Sequence, residues 1–120
     1  MTNKEQADRI VAEALGELEK DHSEETVEGF LNYIPDHYDD VALVDMGVEG
    51  LISEFDCLYL GEYINDKEFL LEYLRERLEG SEVSVDFLWR FMDWKAMGKY
   101  IMKDVWGYGG GTAPRVYFKD

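Results

Sequence analysis

Residues 106–118 read WGYGGGTAPRVYF, a cluster of glycines followed by the apolar segment Val116 to Phe118. Glycine is typical of turns, and β-branched and aromatic residues favour strands, so the sequence predicts a flexible hairpin turn that leads into a strand. Upstream, residues 57–63 read CLYLGEY, a short apolar and aromatic run. We interpret this run as a second strand, although its periodicity does not distinguish a strand from the end of a helix. A small antiparallel sheet is therefore expected in the C-terminal half.

Three amphipathic helices are predicted before this sheet. Ser23 can cap the second of them, which is expected to end at Pro35, and Asp39 or Asp40 can cap the third. The glycines within residues 47–50 weaken the third helix. The first helix has apolar residues at helical spacing at Ala7, Ile10, Val11, Ala14, Leu15 and Leu18. The third has Val41, Val44, Val48, Leu51, Ile52 and Phe55.

Three further helices are predicted after residue 64. Asn65 or Asp66 can cap a helix that Gly80 ends, a fifth helix runs from Ser84 to about residue 91, and a sixth runs from Asp93 to Lys103. The inward side chains of the fourth helix are expected to be Phe69, Leu70, Tyr73, Leu74 and Leu78. The expected fold class is therefore mostly helical α+β.

The chain has the length and composition of one folded domain. It contains 120 residues, of which 46% are hydrophobic, so it can bury a core without disulfides or a metal. We expect a single compact domain over residues 1–120, with a helical acidic part at 1–57 and an α+β part at 58–120. The sequence has no run of about 20 apolar residues and no signal-peptide pattern at its start, so a cytoplasmic location without a membrane partner is expected.

The charge is large and unevenly distributed. The chain has 27 Asp and Glu against 12 Lys and Arg, a net charge of −15, which argues against nucleic acid and anionic lipid as direct ligands and favours a basic partner. Residues 21–66 contain thirteen carboxylates and no Lys or Arg, whereas residues 87–120 contain six cations and three carboxylates. An acidic coat for solubility or a high-salt habitat remains an alternative explanation. This segregation, however, is not expected of a general solubility coat.

The residues that could carry enzymatic chemistry do not form a known motif. His22 and His37 lack the spacing of a metal site and are interpreted as surface histidines, and Cys57 lies in an apolar run that indicates a buried thiol. Residues 107–111 lack the Lys-Ser/Thr of a P-loop, and residues 36–41 lack the pattern of an EF-hand. We therefore expect no catalytic activity, no metal and no cofactor. The tryptophan and cation mixture could stack on nucleic acid, but its helical spacing favours a core role: Trp89, Trp94, Trp106, Arg90, Lys95 and Lys99.

Rows of carboxylates on helices suggest a different activity. Residues three or four apart on a helix lie about 5 to 6 Å apart, so repeated acids form a fixed array of negative charges. Duplex DNA presents one negative charge per about 1.7 Å of its axis, and a rigid acidic protein can compete with it for a basic cleft. The candidate DNA-mimicking carboxylates are Asp36, Asp39, Asp40, Asp45, Glu49, Glu54, Asp56, Glu62, Asp66, Glu68, Glu72, Glu76 and Glu79.

Three segments resemble the ArdA antirestriction proteins. Gly61-Glu62-Tyr63, followed by a helix near Asp66 with Glu68-Phe69, is similar to that family's "GEY/GEF … eeFA" segment. Residues 88–99, LWRFMDWKAMGK, resemble the signature "L-x-x-Y-(I/F)-D-(Y/W)-x-A-x-(A/G)-R-D", and residues 116–118 resemble the closing "VYVF" strand. Lys99 replaces the usual Arg of the signature, Tyr100 replaces its Asp, and one helix plus residues 23–35 replaces the family's N-terminal β-containing lobe. The resemblance extends over about residues 30–120.

The resemblance implies an elongated acidic protein that mimics bent B-form DNA. Such a protein blocks the DNA-binding groove of a type I restriction-modification enzyme, or of another DNA-binding defence complex, and is usually a dimer. Leu60, Tyr63 and Phe69 are the residues that we expect at a dimer or partner surface. The alternative is an acidic protein–protein interaction module or regulator that does not mimic DNA.

Overall fold

The computed structural model describes residues 2–82, 84–91, 93–110 and 113–120. Over these residues the chain is mostly helical α+β, as predicted, with a small antiparallel sheet in the C-terminal half. The helices are α1 (Asn3–Leu18), α2 (Glu24–His37), α3 (Asp40–Leu58), α4 (Asp66–Leu78), α5 (Val85–Phe91) and α6 (Trp94–Met102). The strands are β1 (Tyr59–Tyr63), β2 (Val105–Tyr108) and β3 (Arg115–Lys119).

Polar side chains fix the beginnings of most helices. In each case the side-chain oxygen of the capping residue accepts a hydrogen bond from a backbone N–H three residues later, which satisfies one of the donors that have no partner inside the helix. The predicted caps Ser23, Asp39, Asn65 and Asp93 are confirmed, and Thr2 caps α1 in the same way. Ser84 accepts from the backbone of Phe87 at the start of α5.

Several predicted boundaries are wrong. Helix α2 continues through Pro35 to His37, and Leu58 belongs to the end of α3 instead of to a strand. Gly47 has a φ of +70°, a left-handed conformation that interrupts α3, so the helix has two segments. Strand β2 is not among the predicted elements, because Gly107 within it was assigned to the glycine-rich turn. Of that turn, Gly111 and Thr112 lie outside the described residues.

The sheet is the middle layer of the fold. Its strand order is β1-β3-β2, with both pairs antiparallel, so β3 is the central strand. Val116 and Phe118 of β3 belong to a core cluster with α1, α2 and α3, whereas Tyr117 between them belongs to a second cluster with α4 and α6. Alternate residues of a strand face opposite sides. The α1–α3 layer and the α4–α6 layer therefore cover opposite faces of the sheet.

Close packing joins α2 to the central strand. Gly29 of α2 is buried, and a Cβ atom at this position would lie 3.2 Å from the Cβ of Val116. The absence of a side chain at residue 29 therefore lets the helix approach β3 closely. The resulting body measures 58 × 28 × 24 Å, about twice as long as it is wide. None of the helices in the described ranges has the length and apolar character needed to cross a membrane.

Candidate acidic surface

The exposed side of α2 carries a row of carboxylates. Glu24, Glu28 and Asp36 are all exposed, and exposed Asn32 completes a series in which each member follows the previous one by four residues. Four residues of an α-helix rise about 6 Å and turn about 40° beyond one full turn, so the series winds gradually along the exposed side of α2. Glu28 was not among the predicted site residues. Glu28 precedes Asp36 by eight residues, which is two steps of four along the helix. This spacing is the signal that could have identified Glu28.

Two aromatic residues of β2 hold this row in place. The Tyr108 hydroxyl donates to Glu28 Oε1 at 3.0 Å, and the Trp106 indole N–H donates to Asp36 Oδ2 at 3.2 Å. The hydrogen bond to Glu28 is the main cause that raises the pKa of Tyr108. Both carboxylates stay exposed while one oxygen of each is fixed. Glu28 and Asp36 of the row are therefore pre-organised, because their side chains lose less conformational freedom when a partner binds.

The acids of α3 fall into two groups separated by Gly47. Asp40 and Asp45 lie before the interruption, and Glu49 and Asp56 lie after it, with all four exposed. The sequence alone suggests that Asp45 and Glu49, four residues apart, share one side of a helix. The interruption at Gly47 between them removes this relation. Glu49 and Asp56 are seven residues apart within one helical segment and share a side of it.

Two other predicted carboxylates near α3 have structural roles. Asp39 caps the helix by accepting from the backbone N–H of Ala42 at 2.8 Å. Glu54 is half-buried beside Tyr38. Burial first, and then the charge of Glu54, raise the pKa of the Tyr38 hydroxyl to about 12.

Glu62 and Asp66 also have partners inside the fold. Glu62 is half-buried and accepts hydrogen bonds from the hydroxyl groups of Ser23, which caps α2, and of Thr26 within α2. Asp66 accepts from the Tyr117 hydroxyl at 2.5 Å, and its carboxylate lies 3.9 Å from Arg115 Nε. These two acids therefore join β1 and α4 to the rest of the molecule and are less available to a partner.

The carboxylates of α4 are interleaved with cations. Glu68, Glu76 and Glu79 are exposed, whereas Glu72 is half-buried and lies 3.7 Å from Arg75. The cations on or beside the same helix are Lys67, Arg75 and Arg77. Because opposite charges are mixed here, α4 presents a weaker negative field than α2 and α3.

Unpaired acids are concentrated in residues 21–66. Across the described parts of the chain, Asp66 is the one carboxylate of this segment that lies within 4 Å of a Lys or Arg nitrogen. Lys20 instead pairs with Glu17 on α1, at 3.1 Å. The segregation of charge along the sequence is thus maintained in the fold, and α2 and α3 present negative charges that no Lys or Arg of the described ranges neutralises by direct contact.

The predicted dimer surface is wrong for Phe69. This side chain is 3% exposed and its ring is stacked on Tyr117, with 4.4 Å between centroids, so it belongs to the core beneath α4. Leu60 and Tyr63 are half-buried and pack against the same cluster. These three residues do not form a free apolar surface.

The predicted environments of the histidines and the cysteine also need correction. Cys57 is exposed, not buried, because it lies on the outer side of the last turn of α3. His37 is half-buried, stacked on Tyr33, and lies 2.7 Å from Asp120, while His22 is half-buried and packs edge-on against Phe55. Within the ranges that the structure describes, no group of three or more His, Cys, Asp or Glu side chains is arranged to hold a metal ion.

The chain matches no protein-family model, no curated protein and no solved structure.

Proposed function

We propose that this protein is a DNA mimic that inhibits a DNA-binding defence enzyme, with a type I restriction-modification complex as the first candidate. The carboxylates of α2 and α3 occupy the enzyme's basic groove in place of phosphates, and inhibition results from competition with DNA. Catalysis by the protein itself is not part of this proposal. Its action follows from charge and shape alone.

The observation that carries the proposal is the pre-organised row on α2. Phosphates of a duplex are held at fixed positions, and a competitor gains affinity when its own charges are fixed before binding. Tyr108 and Trp106 hold Glu28 and Asp36 in this manner while both carboxylates stay exposed. A coat that served solubility alone would not need such hydrogen bonds.

The shape of the molecule supports the same activity. A net charge of −15 over a length of 58 Å corresponds to about one net negative charge per 4 Å. The duplex has one per about 1.7 Å, so the mimic is sparser than DNA over its whole length. Its unpaired carboxylates are, however, concentrated on the α1–α3 layer, which raises the local density there.

A neutralisation experiment tests the proposal. We expect the double variant Glu28→Gln/Asp36→Asn to need an at least tenfold higher concentration for half-inhibition of DNA cleavage, because about 1.4 kcal/mol of lost attraction corresponds to a factor of ten. The matched control is Glu5→Gln/Glu13→Gln, which removes the same charge from exposed positions of α1. Equal loss in both variants would show that net charge matters and the row does not.

The salt dependence of binding tests the mechanism separately. Attraction between exposed charges is screened within about 8 Å at physiological ionic strength, so binding to the enzyme should weaken steeply as salt is added. The measurement is a pull-down or titration at increasing sodium chloride, together with displacement of labelled DNA. Binding that is independent of salt, or that leaves the DNA in place, would contradict DNA mimicry.

An acidic interaction module that does not mimic DNA is the second candidate. The observation that favours it is the exposure of Phe87, Phe91 and Tyr100, because a polyanion mimic has no need for exposed aromatic rings. Binding to a basic partner without displacement of DNA would support this candidate.

A further inference from the structure

Helix α5 presents two exposed phenylalanines. The side chains of Phe87 and Phe91 are 59% and 74% exposed, and their ring centroids are 5.0 Å apart. They are four residues apart, with Arg90 between them, so all three lie on one side of the helix. No residue of α5 is buried among those that the structure describes. Neighbouring exposed aromatic side chains are typical of an interaction site.

The helices α5 and α6 differ in charge from the rest of the molecule. Residues 85–103 contain four cations, Arg90, Lys95, Lys99 and Lys103, against two carboxylates, Asp86 and Asp93. The partner that best fits this surface is therefore acidic, and it offers an apolar recess for the two rings.

Such an acidic recess lies on the other layer of the same chain. A groove of about 510 Å³ opens between α1, α2 and α3. This volume lies within the range of about 300 to 1,000 Å³ in which proteins bury small ligands, so it can accept two aromatic side chains. Its apolar wall includes Val11, Leu15, Leu31, Pro35 and Tyr38, and its carboxylates are Asp8 and Asp40. Leu31 is 46% exposed, so part of this wall is open to water.

One molecule does not fill its own groove with its own α5. The groove belongs to the layer that packs on Val116 and Phe118, whereas α5 contacts α4 in the layer that packs on Tyr117. These layers lie on opposite faces of the sheet, as described above. The two complementary surfaces can therefore meet only between molecules.

We propose that α5 of one copy of this protein docks in the α1–α2–α3 groove of a second copy. Phe87 and Phe91 enter the apolar part of the groove, and Arg90 pairs with Asp8 and Asp40 at its edge. This is the helix-in-groove mode of recognition, in which an apolar helix face supplies anchors at i and i+4. Because the two surfaces differ, the contact is head-to-tail and extends into chains or closes into rings.

A second copy is the favoured occupant because both halves of the contact belong to this chain. The acidic edge of the groove matches Arg90, the one cation of α5, and the cations Lys95 and Lys99 of the following helix α6, although the net charge of −15 opposes association over longer distances. Self-association through α5 does not depend on the target of the acidic surface. It can therefore be disproved while DNA mimicry holds, and DNA mimicry can be disproved while self-association holds.

A mixing experiment with two variants tests this contact. Phe87→Ser/Phe91→Ser removes the anchors and keeps the groove, whereas Leu31→Glu blocks the groove and keeps the anchors. By sedimentation equilibrium we expect the wild-type mass to rise above 14.0 kDa with concentration, and each variant alone to stay near 14.0 kDa. An equimolar mixture should form a 1:1 complex that grows no further, because one variant retains the anchors and the other retains the groove.

Controls make every outcome decisive. Tyr100→Ser, at another exposed aromatic residue of the same layer, should associate like the wild type. Circular dichroism confirms that the variants fold, and the charge-swapped pair Arg90→Glu and Asp8→Lys/Asp40→Lys tests the same contact without apolar changes. A wild-type chain that stays monomeric up to millimolar concentration, or a mixture of the two variants that stays monomeric, would overturn the proposal. Self-association that survives both variants would overturn it as well.

Discussion

At the residue scale, hydrogen bonds from distant aromatic residues decide which carboxylates are fixed. Glu28 and Tyr108 are eighty residues apart in the sequence, and Asp36 and Trp106 are seventy apart. Of the α2 row, Asp36 alone was predicted from the sequence, although helical spacing could also have identified Glu28, and no local pattern indicates that β2 supplies the donors. The sequence therefore predicted an acidic surface, and the pre-organisation of that surface became visible only with the fold.

Several tyrosines are held in environments that oppose their ionisation. Burial is the main cause that raises the pKa of Tyr33, Tyr59 and Tyr117, and it raises that of Tyr38 to about 12. The ordinary value is 10.0, which we take for the unfolded chain. A group whose folded pKa is raised contributes stability that is fully present below the unfolded pKa and is lost as the pH rises through the folded pKa.

We therefore expect the protein to lose stability between about pH 10 and pH 12. Absorbance at the phenolate band should show tyrosines that ionise only as the chain unfolds. Circular dichroism over the same range is the companion measurement. Ionisation of all tyrosines near pH 10 with the helices intact would contradict the prediction.

At the element scale, the interruption of α3 depends on one residue. Gly47 adopts φ +70°, and a Cβ atom at this position would meet nothing within 4 Å. A side chain is therefore disfavoured here by backbone conformation alone and not by contact with neighbours. Gly47 combines this φ with a ψ of −176°, a region that is essentially restricted to glycine and costs other residues roughly 1 to 3 kcal/mol.

We expect Gly47→Ala to lower the free energy of unfolding by about 1 to 3 kcal/mol. Gly16→Ala is the matched control, because Gly16 lies in the last turn of α1 and a Cβ atom there would also meet nothing within 4 Å. It should raise the stability by roughly 0.5 to 1 kcal/mol, since alanine favours helix more than glycine does. Urea denaturation measures both, and a stabilising Gly47→Ala would show that the interruption is not required.

The sequence predicted the beginnings of elements better than their ends. The caps Ser23, Asp39, Asn65 and Asp93 act through hydrogen bonds over three residues, so a local pattern suffices to find them. Strand β2 is defined by pairing with β3, and the burial of Phe69 by stacking on Tyr117. Both depend on residues far along the chain, which no local pattern contains.

At the scale of the whole molecule, the acidic layer opposes its own compaction. Of the thirteen carboxylates in residues 21–66, Asp66 is the one with a Lys or Arg partner within the described parts of the chain. Repulsion among the others lowers the stability of the folded state, because the unfolded chain holds these charges farther apart.

We therefore expect sodium chloride to raise the melting temperature by several degrees. Between about 0.01 M and 0.15 M salt the screening length falls from about 30 Å to 8 Å. The stability gained from weaker repulsion among the carboxylates should exceed the stability lost from weaker attraction in the few ion pairs. Calorimetry at neutral pH measures the change. The control is the same pair of salt concentrations near pH 4.3, the isoelectric point of the sequence, where the effect should largely vanish. A melting temperature that falls with salt at neutral pH would contradict this expectation.

The central position of β3 has a consequence for synthesis on the ribosome. The strand that joins β1 to β2 is the last of the three to be translated, and its Val116 and Phe118 complete the core of helices made more than fifty residues earlier. While that strand is still inside the exit tunnel, the emerging helices expose the apolar surface that it will later cover. Folding of this core must therefore finish after β3 has been translated. Until then, the exposed apolar surface of the nascent helices is a binding site for chaperones.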